Sequence, residues 1–599
     1  MTRSPAPNSE TSAGLEGAHR GAHNPRDAQN KGRSMDAKPH TRIAAEDYLD
    51  ALAAQGIDHL FVNPGTDFAP IIEAFARAAR SNRKVPKPMV IPHENAAVCM
   101  AHGYTAVTGR PQAVMTHVNV GLANTLCALA DASRDRIPML LTSGRTPITE
   151  NGPSGTRNVY IHWAQEMFDQ AGMLREFVKW DYEMRRPDQI ADVVTRALEL
   201  ATTSPAGPVY LSLPREVLGE TVEPQPEQPR RPRARPRTPL PAAADVEQLA
   251  DWIAAARNPL IITGTLGRDP RESELLARLA ERFALPVVPF NTRYFALSSR
   301  HPMFQGSVPG PLLKDADLIL VWETDVPWYP STDQPPSGAR IVQIGEDPLY
   351  ARYPMRSFPS DLTIRAASAP LLEALIRALA DRKTNVAERH GPLVRRSATL
   401  HAEWAAEAER AGQGDVCTNV WMNHCLRDVV DKDTIVVNEY SFRQEYCPLP
   451  GPGSLLSVSS AGGLGWGFGA ALGAKLAARD RQVIAVLGDG AYMFANPTAC
   501  HFVGQSQNLP VLVVIYNNTL YGAVRRATLD MFEKGVASDD DGRLLADLGP
   551  APAFEQIVTA HGGHGERVEK PGDLPGALQR AAAAVRNGQQ ALVNVLCRG

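Results

Sequence analysis

The sequence is poor in the features that mark several common classes of protein. Its 599 residues include only seven cysteines, Cys99, Cys127, Cys417, Cys425, Cys447, Cys500 and Cys597. They are odd in number, scattered and without a C-x-x-C pair, so neither a disulfide framework nor a zinc knuckle is indicated. Four of them fall in segments that read as interior, and a reducing, cytoplasmic compartment fits that usage. Net charge is nearly absent. The formal value is −3 at pH 7, which creates no field to gather nucleic acid or an anionic membrane. The one basic run, Arg230 to Arg237, alternates with prolines and reads as solvated linker. No stretch reaches the roughly 18 uninterrupted apolar residues of a membrane span. Residues 1–40, rich in Ser, Gly, Asn, Pro and Arg, lack the apolar core of a secretory leader. Neither a nucleic-acid nor a membrane partner is expected.

What the chain does have is an ordinary globular composition, 44% hydrophobic and 21% charged, at a length that favours several domains over one. Residues 1–40 read as a disordered tail, with Met35 as a candidate start just before the first amphipathic helix, 44–54. That helix opens a first block, 41–218, in which short apolar strands (59–62, 113–115, 139–141, 209–213) alternate with helical stretches. A linker dense in Pro and Arg, 219–241, leads to a second block, 242–384, with strands at 260–262, 287–288, 318–321 and 341–344. The third block, 385–599, has strands at 434–437, 483–487, 511–516 and 592–596. Such alternation predicts parallel sheets covered on both faces, hence three doubly wound α/β domains. No sequence repeat relates the blocks.

The third block carries the pattern richest in chemistry. An apolar strand runs into Gly488-Asp489-Gly490, and a second apolar strand ends at Asn517-Asn518. Neighbouring strands of a parallel sheet end together at its carboxyl edge, where open α/β sheets bind ligands. Glycines let backbone approach a phosphate, and the following helix N-terminus favours negative charge. Asp489 and Asn518 then offer hard oxygens to Mg²⁺, which commonly bridges a carboxylate to phosphates. Alone, a Gly-Asp-Gly is usually a turn and an Asn-Asn a strand end; the pair, each placed after a strand, points to a site.

This stretch resembles the diphosphate-binding motif of the thiamine-diphosphate-dependent enzymes. The resemblance implies Mg²⁺ ligands at Asp489, Asn518 and the Leu520 carbonyl, with Gly488, Gly490, Ala491, Tyr521 and Gly522 around the diphosphate and Ser441 nearby. Ala491 departs from the family, where a Ser is common. Upstream, Ser460-Ala461-Gly462-Gly463-Leu464-Gly465-Trp466-Gly467 resembles the turn that lies against the cofactor, with Gly463 in contact and Leu464 as the wedge that bends it. A competing dinucleotide fingerprint, Gly465-x-Gly467-x-x-Ala470, matches loosely and explains fewer residues. In the first block, His93-Glu94-Asn95-Ala96-Ala97 resembles the family's pyrimidine-binding stretch, and implies that Glu94 donates a proton to the cofactor's aminopyrimidine. Its structural alternative is an acid favoured by the helix dipole.

The resemblance covers 41–596 and is similar above all to benzoylformate decarboxylases and the large subunit of acetolactate synthases. Phe61-Val62-Asn63-Pro64-Gly65-Thr66 resembles the decarboxylase loop, placing Asn63, Pro64 and Gly65 at the cofactor. Thr116-His117-Val118-Asn119-Val120-Gly121-Leu122-Ala123-Asn124 resembles the decarboxylase segment with an active-site histidine, which makes His117 a catalytic candidate. A second histidine of that group is missing from Asp325-Val326-Pro327-Trp328-Tyr329-Pro330. Tyr329, Phe442, Trp466 and residues 529–546 are expected at the pocket walls. The short Gly264-Thr265-Leu266-Gly267 turn reads as structural, and FAD is not expected. The resemblance thus implies a 2-oxo acid decarboxylase dependent on thiamine diphosphate and Mg²⁺, with carboligation as an added capacity, in a homodimer or homotetramer whose sites lie at an interface. Acyl transfer of the acetolactate synthase type is the nearest alternative, and a cofactor-binding regulatory relative without turnover a more distant one.

Overall fold

A computed structural model describes residues 41–152, 154–223 and 237–597. The expected tail 1–40 and nearly all of the Arg230–Arg237 run lie outside the described residues.

Three parallel sheets organise the chain. Across the first, the order is Lys87–Val90, His59–Asn63, Gln112–Thr116, Met139–Arg145, Pro208–Pro214 and Asp181–Glu183. Across the third it is Leu455–Ser457, Ile435–Glu439, Val483–Gly488, Leu512–Asn517, Ala591–Leu596 and His564–Val568. The two six-stranded sheets therefore share one strand order without sharing sequence. The middle sheet has five strands, Val287–Pro289, Pro259–Thr263, Leu318–Trp322, Arg340–Gly345 and Leu362–Arg365. Interior strands such as Gln112–Thr116 and Pro259–Thr263 are buried at every residue, as a sheet covered on both faces requires. A small antiparallel pair, Arg42–Ile43 with Thr221–Val222, closes the first block.

The first and third sheets are joined through two helices, Glu94–Thr108 and Trp466–Ala477, each buried over most of its length. A Cβ on Gly103 would overlap the Ala470 carbonyl, and one on Gly473 would overlap that of Met100. Only glycine allows the backbones to come so close. The crossing draws both sheets into one core that includes Val98, Met100, Phe468 and Leu472. It also fixes where the two helix N-termini, and the strand ends beside them, are placed.

Candidate active site

Glu94 opens its helix directly after His93, whose Nδ1 caps the turn by accepting from the Asn95 N–H at 3.2 Å. The carboxylate is buried and gripped from both sides. Asn63 Nδ2 donates to Oε1 at 2.9 Å and Asn124 Nδ2 to Oε2 at 3.0 Å. Asn63 ends one strand and pairs with Thr116 at the end of the next, so the Glu94 group belongs to the carboxyl edge of the first sheet. Gly121 leaves the space: a Cβ there would come 2.9 Å from Oε1.

His117 follows Thr116 on the same edge. Its Nδ1 lies 2.5 Å from Oδ1 of Asp67, and the other Asp67 oxygen accepts from the Val118 N–H at 3.4 Å. Asp67 is buried, while the imidazole stays partly exposed. A carboxylate on Nδ1 holds the neutral ring in its Nδ1–H tautomer and leaves Nε2 as the acceptor. Gln165 Nε2 faces that nitrogen at 3.5 Å. Two glycines make the pair possible, since a Cβ on Gly65 would overlap the imidazole and one on Gly144 would overlap the Asp67 carboxylate. Val118 has φ 27, a left-handed conformation unusual for a β-branched residue. Strain of this sort gathers at functional sites. Sequence reasoning anticipated Glu94, Asn63, Gly65 and His117 but missed Asp67, Asn124 and Gln165, because no local pattern links an acid to a histidine 50 residues on.

The other predicted group forms at the carboxyl edge of the third sheet. Gly488 pairs with Tyr516, which puts Asp489 beside Asn517 and Asn518. Asp489 Oδ1 accepts from the Gly490 N–H at 2.7 Å, whereas Oδ2 is buried without a hydrogen-bond partner. Burial pushes the carboxyl upward, and the Gly490, Thr519 and Leu520 amides oppose it. Asn518 Oδ1 accepts from the Leu520 N–H at 3.1 Å across a turn in which Thr519 has φ 55. A buried carboxylate oxygen with no donor suits a cation, and these groups fit Mg²⁺. Asp489, Asn518 and the Leu520 carbonyl would hold it with oxygen only. No group of three His, Cys, Asp or Glu side chains among the described residues could hold a metal by itself; the set here adds an amide oxygen and a main-chain carbonyl to one carboxylate. Gly490 also makes room for the Tyr521 ring. Ala491 lies buried in the helix Asp489–Phe494, and Gly522 begins the helix Gly522–Met531.

The turn before Trp466–Ala477 is held by acids. Gly465 and Gly467 donate their N–H groups to Glu439 at 2.8 and 2.7 Å, and Gly463 donates to Asp131 at 3.0 Å. Burial pushes Glu439 up to about 7 and Asp131 up to about 9, Asp135 adding to the latter. Because Glu439 already occupies the N–H groups of Gly465 and Gly467, these glycines present no free cradle to a dinucleotide phosphate. The half-buried Leu464 continues the turn. Trp466, expected at the pocket wall, is instead buried, its Nε1 donating to His102 Nδ1 at 3.1 Å. Helix packing claimed a side chain that motif position had assigned to the site.

Tyr329 and Phe442 do line a cavity of about 630 Å³ between the middle and third sheets, together with Asn438 and Ser459. Asp325 stands in the segment without a histidine. It is bound by Arg293, Tyr353 and Ser460, the last at 2.6 Å. Burial works against ionisation, but Arg293 and these donors keep the Asp325 carboxyl well below its ordinary range. Its lone pairs are committed to structure. Among the described residues, no hydrogen bond or ion pair joins the Glu94–His117 group to the Asp489–Asn518 group.

Two edges thus carry complementary chemistry, one with a fixed carboxylate and an oriented imidazole, the other with a glycine-rich anion and cation cradle. This is the arrangement of an α/β enzyme that works through a phosphorylated cofactor. The chain belongs to the thiamine pyrophosphate enzyme family: residues 43–173 match its N-terminal TPP binding domain, 246–375 its central domain and 439–595 its C-terminal TPP binding domain. It is similar to a benzoylformate decarboxylase of Pseudomonas aeruginosa, 30% identical over 561 residues that cover 90% of this chain and 96% of that one. A sulfoacetaldehyde acetyltransferase of Alcaligenes xylosoxydans xylosoxydans is 24% identical, with 93% of each chain covered. Acetolactate synthase isozyme 1 large subunit of Escherichia coli is 25% identical, with 82% and 84% covered. In fold it resembles a thiamine diphosphate-dependent 4-hydroxybenzoylformate decarboxylase of Rhodococcus jostii RHA1, with TM-score 0.75 at 22% identity over 93% of this chain and 99% of that one.

Proposed function

We propose that this protein is a Mg²⁺-dependent 2-oxo acid decarboxylase with a capacity for carboligation. The observation that carries the reading is the Asp67–His117 pair, which orients an imidazole on the same sheet edge as Glu94 with Nε2 turned to the Gln165 amide. Bound thiamine diphosphate would supply the carbon nucleophile and hold the electrons released with CO₂. Glu94, fixed by Asn63 and Asn124, keeps one direction for proton exchange with the cofactor's ring. His117 Nε2 takes and returns protons on the substrate-derived group, and Asp67 steadies the charge that this places on the ring. Asp489, Asn518 and the Leu520 carbonyl would hold Mg²⁺, which would supply positive charge to offset that of the diphosphate.

The site is completed by a second copy of the chain, in a homodimer or homotetramer. Large apolar side chains stand exposed near both edges, among them Tyr160, Trp163 and Phe168 on one side and Met531, Phe532 and Leu545 on the other. Exposed apolar surface of that extent marks an interface. Seven free cysteines support a reducing cytoplasm as its location. The test is a panel of 2-oxo acids given to the purified protein with thiamine diphosphate and Mg²⁺, reading CO₂ and aldehyde. Turnover that needs both additions supports the reading. Acyl transfer between two 2-oxo acids without free aldehyde favours the synthase-type alternative, which the presence of an acetolactate synthase among the relatives keeps in view. Mixing Glu94→Ala with Asp489→Ala chains should restore part of the activity, because hybrid dimers regain one undamaged site. No recovery after verified chain exchange rules out a shared site.

A further inference from the structure

A second histidine reaches the edge that holds His117. The short helix Ile161–Ala164 carries His162, which is buried. Its Nδ1 accepts from the Asn158 N–H at 3.3 Å, and its Nε2 lies 3.5 Å from the hydroxyl oxygen of Thr66. A backbone N–H can only donate, so Nδ1 is the acceptor and the neutral ring carries its hydrogen on Nε2. The Thr66 oxygen therefore accepts from His162, and its own hydrogen is left over. Thr66 is exposed, and among the described residues its hydroxyl has no other hydrogen-bond partner.

Arg215, a buried guanidinium, braces both ends of this chain of contacts. It donates to the Thr66 carbonyl at 3.4 Å, to the Gly155 and Thr156 carbonyls at 2.5 and 2.6 Å, and to Asn158 Oδ1 at 3.2 Å. One side chain thus ties the residue that meets Nδ1 to the residue that meets Nε2. Burial disfavours a second proton on His162; Arg215, Arg157 and His117 act in the same direction, and only Glu216 opposes them. The ring is a fixed neutral donor. Thr66 itself stands between Gly65, whose missing Cβ leaves room for the His117 imidazole, and Asp67, which holds that imidazole. It therefore opens onto the edge where His117 acts. A 2-oxo acid brings a carboxylate to that edge, and a hydroxyl that already accepts a hydrogen bond is a stronger donor to it.

We propose that His162 is a positioning residue for the substrate: it holds the Thr66 oxygen as an acceptor, so that the hydroxyl hydrogen is given to the carboxylate of the 2-oxo acid. This rests on the decarboxylase reading above. The contact is made to the bound acid and is lost as CO₂ leaves, so it serves substrate binding and not the bond-breaking step.

The test is steady-state decarboxylation by the full-length protein with thiamine diphosphate and Mg²⁺, using the best 2-oxo acid of the panel. H162N keeps an acceptor for the Asn158 N–H but is too short to reach Thr66, whereas H162Q restores a donor where Nε2 stood. Loss of a neutral hydrogen bond predicts a KM raised roughly 3- to 10-fold in H162N, with kcat held and most of the loss recovered in H162Q. T66V, which removes the contact to a charged group, should raise KM about 10- to 100-fold. Because His162 acts through Thr66, H162N/T66V should be no worse than T66V. Calorimetry should find wild-type affinity for thiamine diphosphate in every variant. Nitrogen-15 NMR of His162 in the wild-type protein at pH 7 should show a neutral ring protonated at Nε2, a result that needs no variant to fold. A ring protonated at Nδ1 overturns the proposal, as does a wild-type KM in H162N. Equal losses in H162N and H162Q would show a structural role, additive losses in the double variant an action that bypasses Thr66, and a fall confined to kcat a part in proton transfer; each overturns it too. Wild-type protein that consumes no 2-oxo acid defeats the decarboxylase reading instead, a failure seen before any variant is made.

Discussion

Replacing Asp67 with Asn isolates the contribution of a residue that need not touch the substrate. The change keeps the shape of a side chain that is buried beside Gly144 and 2.5 Å from His117 Nδ1. It removes the charge and leaves an amide that cannot accept from both His117 and Val118 as the carboxylate does. A hydrogen bond to a charged group contributes about 1.5–3 kcal/mol, and each 1.4 kcal/mol is about tenfold. Turnover should therefore fall roughly 10- to 100-fold, within the range lost when acid–base catalysis is removed. Exchange of the cofactor's C2 proton, which the proposed function assigns to Glu94, should keep its rate. Because Asp67 acts through His117, the Asp67→Asn/His117→Ala double variant should be no slower than His117→Ala. Gly144→Ala, which pushes on the same carboxylate from the strand Met139–Arg145, should reproduce the defect. The assays are steady-state decarboxylation and proton exchange by NMR, with thermal melts as a folding control. Additive losses in the double variant, or an Asp67→Asn enzyme at the wild-type rate, would refute the reasoning.

Further outcomes follow from the same geometry. Glu94→Gln should suppress C2 proton exchange in the absence of substrate while leaving diphosphate affinity intact, as NMR and calorimetry can show. Asp489→Asn should remove Mg²⁺-dependent retention of cofactor. It should also raise the Tm of the cofactor-free protein, since a buried carboxylate oxygen without a partner destabilises the fold. Asp131 and Glu439, raised to about 9 and about 7 in the fold, bind more protons there than in the unfolded chain, where such groups titrate near pH ~4. Their effect on stability is therefore unfavourable and grows as pH rises from ~4 through those values. Tm should fall between pH 6 and pH 9, and Asp131→Asn should flatten that slope; an unchanged slope counts against Asp131 as its source.

The strands most legible in the sequence are those in the middle of each sheet, where burial on both faces demands a continuous apolar run. Lys87–Val90, Asp181–Glu183, Leu362–Arg365, Leu455–Ser457 and His564–Val568 escaped, and all are edge strands. Lys87–Val90 buries only Met89, and Leu455–Ser457, though buried, has only three residues; neither pattern differs locally from a loop. In the site, Asp489 and Asn518 were legible because each sits where a strand must end, and Glu94 because it opens a helix. The partners were not. Glu439 reaches Gly465 and Gly467 only after the sheet has formed, and Asp67 meets His117 in the same way. The strained residues Val118, Tyr440 and Thr519 were hidden for a different reason. Their side chains disfavour the left-handed backbone that each adopts, so local propensity points away from what the assembled edge imposes.

The crossing of Glu94–Thr108 with Trp466–Ala477 sets a limit on recombination among relatives. Where bulky side chains interdigitate, a small error in helix angle can be absorbed by new rotamers. At Gly103 and Gly473 there is no side chain to adjust, and each glycine faces a main-chain carbonyl. A chimera that took its first block from one parent and its third from another would have to inherit both glycines and the angle that suits them. If it did not, the whole misfit would pass to the helix N-termini, where Glu94 on one side and the Gly463–Gly465 turn on the other have their positions set. Swaps of the middle block leave that crossing intact, and would instead have to preserve the contacts that Asp325 and Arg293 make to Ser460 and Asp135 of the other two blocks.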